Sequence, residues 1–436
     1  MFQRSRGTRD FSPVEMMRRM ALERLCDEQA ARYGFLRVAT PTFESLDLFT
    51  AKSGDAIVDE LYAFEDKGGR PLTLRPELTA PVMRMVANEM RQTPKPMRLS
   101  YFGNCFRYEE FKTGRYREFW QYGCEIVGAS GPLVEAEIVA FGIALMRAAG
   151  VVDWQVKVGH VGILNDLLAG LDIPEENRRD VMRLLDKGNF AGLTGKGVGA
   201  DAAAQLEAFA SLTGGAEVLP EAQAMLESMG VPTDSLQALA DMLGCLTGLV
   251  PDMPDLAIDL TVARGLDYYT GMVFEFEVPE MKGEGQVLGG GSYQLMQLFD
   301  LADLDPCCGF GLGFDRILIA LERQAERLGR TEVVPGESAG PGSLAVIPFK
   351  IDVNAVLPLV AALRDGGERV LLELRERNLG RSMGWADSGG AAFALIVGPK
   401  DLEAGEVTIK RLSDGQQATC ELNADLIAEA LAGLRA

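Results

Sequence analysis

Apolar residues recur along this chain at two spacings, and each spacing predicts its own kind of element. Met16, Met20 and Leu25 lead at helical intervals toward Tyr33, behind Ser12-Pro13-Val14-Glu15. That tetrapeptide is a capping box with proline at the first helical position, and Gly34 is a good stop. Phe35 to Ala39 reads as a short strand ended by Thr40-Pro41, residues 72–75 as another, and Pro76 to Glu89 leads into a helix. From Leu99 to Val127 the pattern predicts two antiparallel strands around a charged loop, then a helix over 132–149 and a strand from Trp154 to Val158. Residues 161–255 are Ala/Leu-rich at helical spacing with many breaks, which predicts a separate α-helical insertion. Strands resume over 256–291, with alternation from Met272 to Val278, and a helix follows Arg316.

Residues 330–342 have a linker's composition. Beyond them strands at 344–348, 369–374 and 393–397 alternate with helices at 354–365, 379–388 and near 424–434, a small α/β domain. The expected division is a core in two parts, 1–160 and 256–328, a helical insertion at 161–255, a linker at 329–342 and a C-terminal domain at 343–436. A chain of 436 residues with 47% hydrophobic content has ample material for several cores. No apolar run reaches the length of a membrane span, and the first residues lack a signal peptide's apolar core. Seven cysteines without a CxxC pair read as reduced thiols, so a cytoplasmic location is expected.

Charge and histidine content narrow the chemistry. A net charge of −20 argues against nonspecific coating of nucleic acid, while leaving room for a local basic patch. Residues 160–255 carry 15 Asp/Glu against 5 Lys/Arg. The single histidine, His160, excludes Cys/His zinc sites and Ser-His-Asp or Cys-His mechanisms that need a second one. At the end of an apolar strand it reads as structural.

Four stretches concentrate polar, aromatic and glycine residues. Arg264-Gly-Leu-Asp-Tyr-Tyr269 precedes a strand, with Gly289-Gly290-Gly291 beyond it. Glycines let a ligand approach the backbone, although a bulged hairpin with surface tyrosines fits the same letters. In Phe106-Arg107-Tyr108-Glu109 … Arg115 … Phe119-Trp-Gln-Tyr-Gly-Cys-Glu125, guanidinium groups at a hairpin tip suit phosphate. Period-two alternation puts Phe119, Gln121, Gly123 and Glu125 on one face, with Gly123 leaving room for a small ligand. Gly309-Phe-Gly-Leu-Gly313 makes a bare strand on which a flat ring can lie, with Arg316 in the next helix's first turn. It is neither GxGxxG nor in a βαβ setting, and the Walker-like Gly195-Lys196 lacks the required neighbours. Leu74-Arg75-Pro76-Glu77-Leu78-Thr79 presents Glu77 and Thr79 at a helix start, where an acid is often only a cap.

Taken together, residues 12–41, 102–125 and 309–320 resemble the three signature motifs of class II aminoacyl-tRNA synthetases. The Arg264–Tyr269 and Gly289–Tyr293 stretches resemble the two family-specific motifs of the histidyl-tRNA synthetase family. The C-terminal unit, with Leu379-Gly380-Arg381 and Ala386-Asp387, looks like that family's anticodon-binding domain. The resemblance implies an α+β fold: an antiparallel-sheet catalytic core with a helical insertion, plus a small α/β domain.

It further implies ATP and Mg²⁺ as cofactors, L-histidine and tRNA(His) as substrates, a cytoplasmic homodimer without membrane attachment, and no metal site built from protein ligands. Arg107 would hold the α-phosphate and Glu109 the adenine amino group. Phe119 and Arg316 would sandwich the adenine, with Arg316 and Arg115 reaching the outer phosphates through Mg²⁺. Glu77, Thr79 and Gln121 would bind the α-ammonium group. Glu125 and Tyr269 would face the imidazole with Tyr268 close by, and Arg264 would bridge carboxylate and α-phosphate. The family usually has arginine and aspartate where this chain has Ser292 and Gln294, and Gly-Thr where it has Leu78-Thr79. The alternative implied is a silent, histidine-sensing regulatory paralogue of ATP phosphoribosyltransferase, which generally lacks the C-terminal domain.

Overall fold

The first helix starts where its cap is written. Ser12 Oγ accepts the Glu15 N–H, Glu15 accepts the Ser12 N–H in return, and Pro13 opens helix Pro13–Arg32. The structure, a computed structural model, describes residues 2–53, 55–108, 116–186, 188–261, 269–337, 343–375 and 377–435. The chain divides into two units, Met1–Glu337 and Ser338–Ala436.

In the first unit nine strands form one sheet. Their spatial order is Leu36–Arg37, Met97–Phe106, Glu118–Val127, Cys307–Gly313, Gln286–Tyr293, Tyr269–Glu277, Gln155–His160, Leu256–Asp259 and Thr213–Gly214. From Met97–Phe106 through Gln155–His160 every neighbour is antiparallel, and parallel pairing enters only beside the two flanking strands Leu36–Arg37 and Leu256–Asp259. Helices Pro13–Arg32, Pro132–Ala149 and Phe314–Leu328 bury their apolar sides against Tyr122, Cys124, Phe274 and Phe310 on one face. Helix Thr79–Glu89 packs with Leu99, Tyr101, Tyr293 and Cys307 on the other. Coverage on both sides explains why Met272–Phe276 is buried continuously, where alternation alone predicts one wet face.

Asp315, only 3% exposed, locks the sheet to two helices. It accepts hydrogen bonds from Arg9 and Arg19, both at 2.6 Å, and from the Trp120 N–H at 2.8 Å. The Arg19 guanidinium lies 4.2 to 5.1 Å from the rings of Phe11, Trp120 and Phe314, which offset its desolvation.

Three sequence expectations change. Residues 161–249 are helical for the most part, but their buried side chains, from Leu164 to Leu246, join the same apolar cluster as the sheet. Thr213–Gly214 even adds a strand to that sheet. The stretch 330–337 does not behave as a linker. Val334 is completely buried, and Glu337 accepts the Val333 and Val334 N–H groups and pairs with Arg18. A three-stranded sheet of Phe43–Ser45, Pro71–Leu74 and Tyr62–Glu65 also forms, and of these strands the pattern showed only the one near 72–75.

In the second unit Val370–Leu372, Ser343–Pro348 and Ala391–Val397 are parallel, continued by the antiparallel strands Glu406–Arg411 and Gln417–Glu421. Helices Leu357–Asp365 and Ala424–Arg435 pack on one face and Leu379–Ser388 on the other. The hairpin of Glu406–Arg411 and Gln417–Glu421 and the short helix Pro399–Ala404 were not foreseen.

His160 is structural: its Nδ1 accepts the Gly162 N–H at 3.1 Å and caps helix Val161–Gly170. Burial lowers its pKa, with Asp166 opposing. A folded pKa below the unfolded one means that this stabilisation is complete above about pH 6.5 and is lost as pH falls from there toward the folded value. His160→Asn keeps an acceptor at the cap without titrating. Its denaturation midpoint should therefore fall less between pH 7 and pH 5 than the wild type's; an equal fall would remove His160 from the acid response.

Candidate active site

The register of the sheet gathers glycines from distant parts of the chain into one floor. Gly123, Gly311 and Gly289 are consecutive cross-strand partners, and Glu125, Gly309 and Gly291 form the adjacent row. The second row is closed by contact. A methyl group at Gly309 would stand 1.8 Å from Glu125 Oε2 and 2.3 Å from the Cys124 carbonyl oxygen. At Gly291 it would meet the Met272 carbonyl oxygen at 2.3 Å. Gly311 is the open position, where a methyl group would approach only the Gln121 amide, at 3.6 Å. Gly289 lies under the Gln286 amide, which donates to buried Glu275 at 2.8 Å.

Glu125, 1% exposed, ends this floor. Tyr101 donates to its Oε1 at 2.7 Å, and Tyr293 donates to its Oε2. Burial pushes its pKa up to about 7, and the two phenols pull the other way. Tyr269 shares this enclosure, and burial first, then the Glu125 charge, raises its phenol pKa. Glu77 and Thr79 stand at the neighbouring helix start. Glu77 accepts the Thr79 and Ala80 N–H groups, the latter at 3.0 Å, so it does cap helix Thr79–Glu89. Burial raises its pKa, while those bonds and the Arg107 charge lower it. Thr79 Oγ1 lies 3.3 Å from the Tyr101 hydroxyl.

Two arginines follow strand ends on one side of this floor. Arg107 donates to the Pro76 carbonyl at 2.9 Å, its guanidinium 5.2 Å from the Phe119 ring centroid. Arg316 donates to the Gln286 carbonyl at 2.7 Å. Gln121 accepts from the Cys105 thiol at 3.3 Å. Phe119, Gln121, Gly123 and Glu125 therefore share the face that carries the glycine floor, while Tyr122, Cys124 and Ile126 enter the core opposite.

One expectation needs correcting. Room above Gly123 is taken by protein: a methyl group there would lie 2.4 Å from the Tyr101 ring, so any ligand space begins at Gly311. Tyr101 is the residue sequence reasoning missed, and its only signal is its pairing with Gly123 across the strands. Ser292 points to the opposite face, where its hydroxyl donates to buried Glu135. Arg264, Tyr268, Glu109 and Arg115 lie outside the described residues. In the second unit Arg377 pairs with Glu373 at 2.7 Å.

An antiparallel sheet with this glycine floor, arginines beyond two of its strand ends and a buried carboxylate at the other end is the architecture of a class II aminoacyl-tRNA synthetase core. The histidyl-tRNA synthetase family model matches residues 7–317 and the anticodon binding domain model residues 343–431. The chain belongs to the histidyl-tRNA synthetase family. It is 40% identical to the histidine--tRNA ligase of Archaeoglobus fulgidus over 419 residues, covering 95% of this chain and 96% of the relative. The solved histidyl-tRNA synthetase of Nostoc sp. PCC 7120 has the same fold, with a TM-score of 0.81 over 100% of this chain and 99% of that one at 22% identity. A Bacillus halodurans structure described as an ATP phosphoribosyltransferase regulatory subunit/histidyl-tRNA synthetase superposes with a TM-score of 0.75 at 23% identity, covering 91% of this chain and 98% of that one.

The two glycine rows predict opposite effects. Gly309→Ala should cost about 3 kcal/mol or more of stability, because the Glu125 carboxylate and a backbone carbonyl must both move. Gly311→Ala should change stability by no more than about 1 kcal/mol, since a strand gains from losing glycine. Denaturant midpoints decide, and similar losses in both variants would mean that the rows do not differ.

Proposed function

We propose that the chain activates L-histidine with ATP to histidyl-adenylate and transfers the histidyl group to the 3′ end of tRNA(His). The observation that carries this reading is the open floor at Gly311, one sheet row from the Glu125 carboxylate and on the strand that leads into Arg316. Carboxylate attack on the α-phosphate needs no protein base, because the nucleophile is already ionised near neutral pH. What the protein supplies is alignment and fixed positive charge where phosphoryl charge develops. Arg107 and Arg264 would face the α-phosphate, and Phe119 and Arg316 would enclose the adenine. Arg316 and Arg115 would reach the outer phosphates, and Glu109 the adenine amino group. Glu77, Thr79 and Gln121 would hold the ammonium group. Glu125 would accept from the imidazole beside Tyr269 and Tyr268, and a site built on such bonds rejects ligands lacking ring nitrogens.

No three His, Cys, Asp or Glu side chains gather as a metal cage among the described residues. Mg²⁺ keeps phosphate and water oxygens and takes one or two carboxylates. Glu275, in the same sheet row as Gly311 and Gly289, would be its protein contact, and the bound ion would offset phosphate charge. A homodimer in the cytoplasm belongs to the same reading. Among the described residues no helix is long and apolar enough to cross a membrane. The regulatory alternative is less favoured, because residues 343–431 match an anticodon binding domain and relatives named histidine--tRNA ligase align along nearly the whole chain.

ATP–pyrophosphate exchange with each of the twenty amino acids tests the reading, and histidine alone should support it. Gly311→Ala should raise the KM of ATP or histidine at least about tenfold by lifting the floor. Unchanged kinetics would place the substrates elsewhere. A chain ending before residue 340 should keep exchange and lose most tRNA affinity, with a shallower salt dependence. Equal tRNA affinity and salt slope in the two chains would revive the regulatory reading.

A further inference from the structure

The proposed pocket has two ends, an ammonium end at Glu77 and Thr79 and an imidazole end at Glu125, and one side chain touches both. Tyr101 lies 2.7 Å from Glu125 Oε1 and 3.3 Å from Thr79 Oγ1 through a single hydroxyl. It is 2% exposed, and its ring is packed on Gly123 at the edge of the floor. We propose that Tyr101 is the positioning residue of the histidine pocket: its hydroxyl fixes the Glu125 carboxylate that receives the imidazole and ties it to the hydroxyl at the ammonium end. This inference rests on the proposed function and goes beyond it, since Tyr101 itself need not touch the substrate.

The geometry gives the hydroxyl one consistent orientation. Glu125 has only acceptors when ionised, so the phenol proton points to it and the phenol oxygen is left as an acceptor facing the Thr79 hydroxyl. Tyr293 holds the other carboxylate oxygen, so the plane of Glu125 is set from two strands. Lone pairs left on both oxygens remain for a ligand N–H. The titratable groups around Glu125 are Tyr101, Tyr293, Tyr269, Glu77, Cys307, Cys308 and Cys124, whose thiol burial pushes well up. Burial raises the Tyr269, Cys307 and Cys308 pKa values, so these groups stay neutral near pH 7. The hydroxyls of Tyr293, Tyr101 and Thr79 favour the ionised carboxylate, and burial and the Glu77 charge oppose it.

Tyr101→Phe keeps the ring over Gly123 and deletes only the hydroxyl. Exchange kinetics would be measured from pH 6 to pH 9 for the wild type and this variant, with melting temperatures. Loss of a buried bond to a charged group should raise the histidine KM about tenfold while the ATP KM stays within about twofold. The acid limb of kcat/KM for histidine should move to higher pH, because a donor that favoured the carboxylate is gone. Should Tyr101→Phe fail to fold, Thr79→Val and Thr79→Ser read the bridge from its other end: Val should shift the same limb and Ser should restore it. A wild type that does not exchange with histidine sinks the proposed function. A wild type that does, beside a Tyr101→Phe whose histidine KM and acid limb are unchanged, sinks this inference alone. A lowered melting temperature with both KM values raised and the limb unmoved would make Tyr101 merely structural and likewise overturn it.

Discussion

Everything at the floor follows from the approach of the Glu125 carboxylate to the backbone at Gly309. A carboxylate can lie flat against the neighbouring strand only where that strand offers a hydrogen in place of a side chain. Because it lies there, it is sealed from water, and the phenols of Tyr101 and Tyr293 replace the hydration it gives up. Gly123 accommodates one of those phenols, and Gly291 gives way to the Met272 carbonyl and the Tyr269 ring. The glycines are therefore interdependent, each one vacating the volume that a polar or aromatic neighbour fills. Gly311 is the exception, with space over it that protein does not take.

A second carboxylate works on the other face. Asp315 ties the N-terminal helix, the strand carrying Phe119 and the helix carrying Arg316 through three donors. Removing it would leave the buried Arg19 unpaired, a costlier state than never having built the pair. On the proposed function, transition-state charge is met by cations that are already fixed, so their scaffolding matters as much as their identity.

Much of this was legible in the letters. The capping box at Ser12, the helix over 132–149 and the two faces of Phe119–Ile126 depend on neighbours within a few residues, and periodicity reports those faithfully. Tyr101 was hidden because its meaning depends on register with Gly123, a tertiary fact. The same holds for Val334, whose linker-like surroundings conceal a residue packed into the core, and for the helices of 161–249, whose helical spacing was visible but not what they pack against. Ser292 departs from the family pattern, yet period two puts it on the face away from Glu125, so that departure does not line the floor.

His160 performs a task that asparagine, aspartate or serine performs in other helices, accepting one N–H at a helix start. It is also the chain's only histidine in 436 residues. If the chain charges tRNA with histidine, each copy draws on its own product for a single codon. Its synthesis would then be less exposed to histidine starvation than that of a histidine-rich chain, at the moment when the cell most needs the remaining histidine captured. An enzyme richer in histidine would stall its own replacement as its substrate ran short.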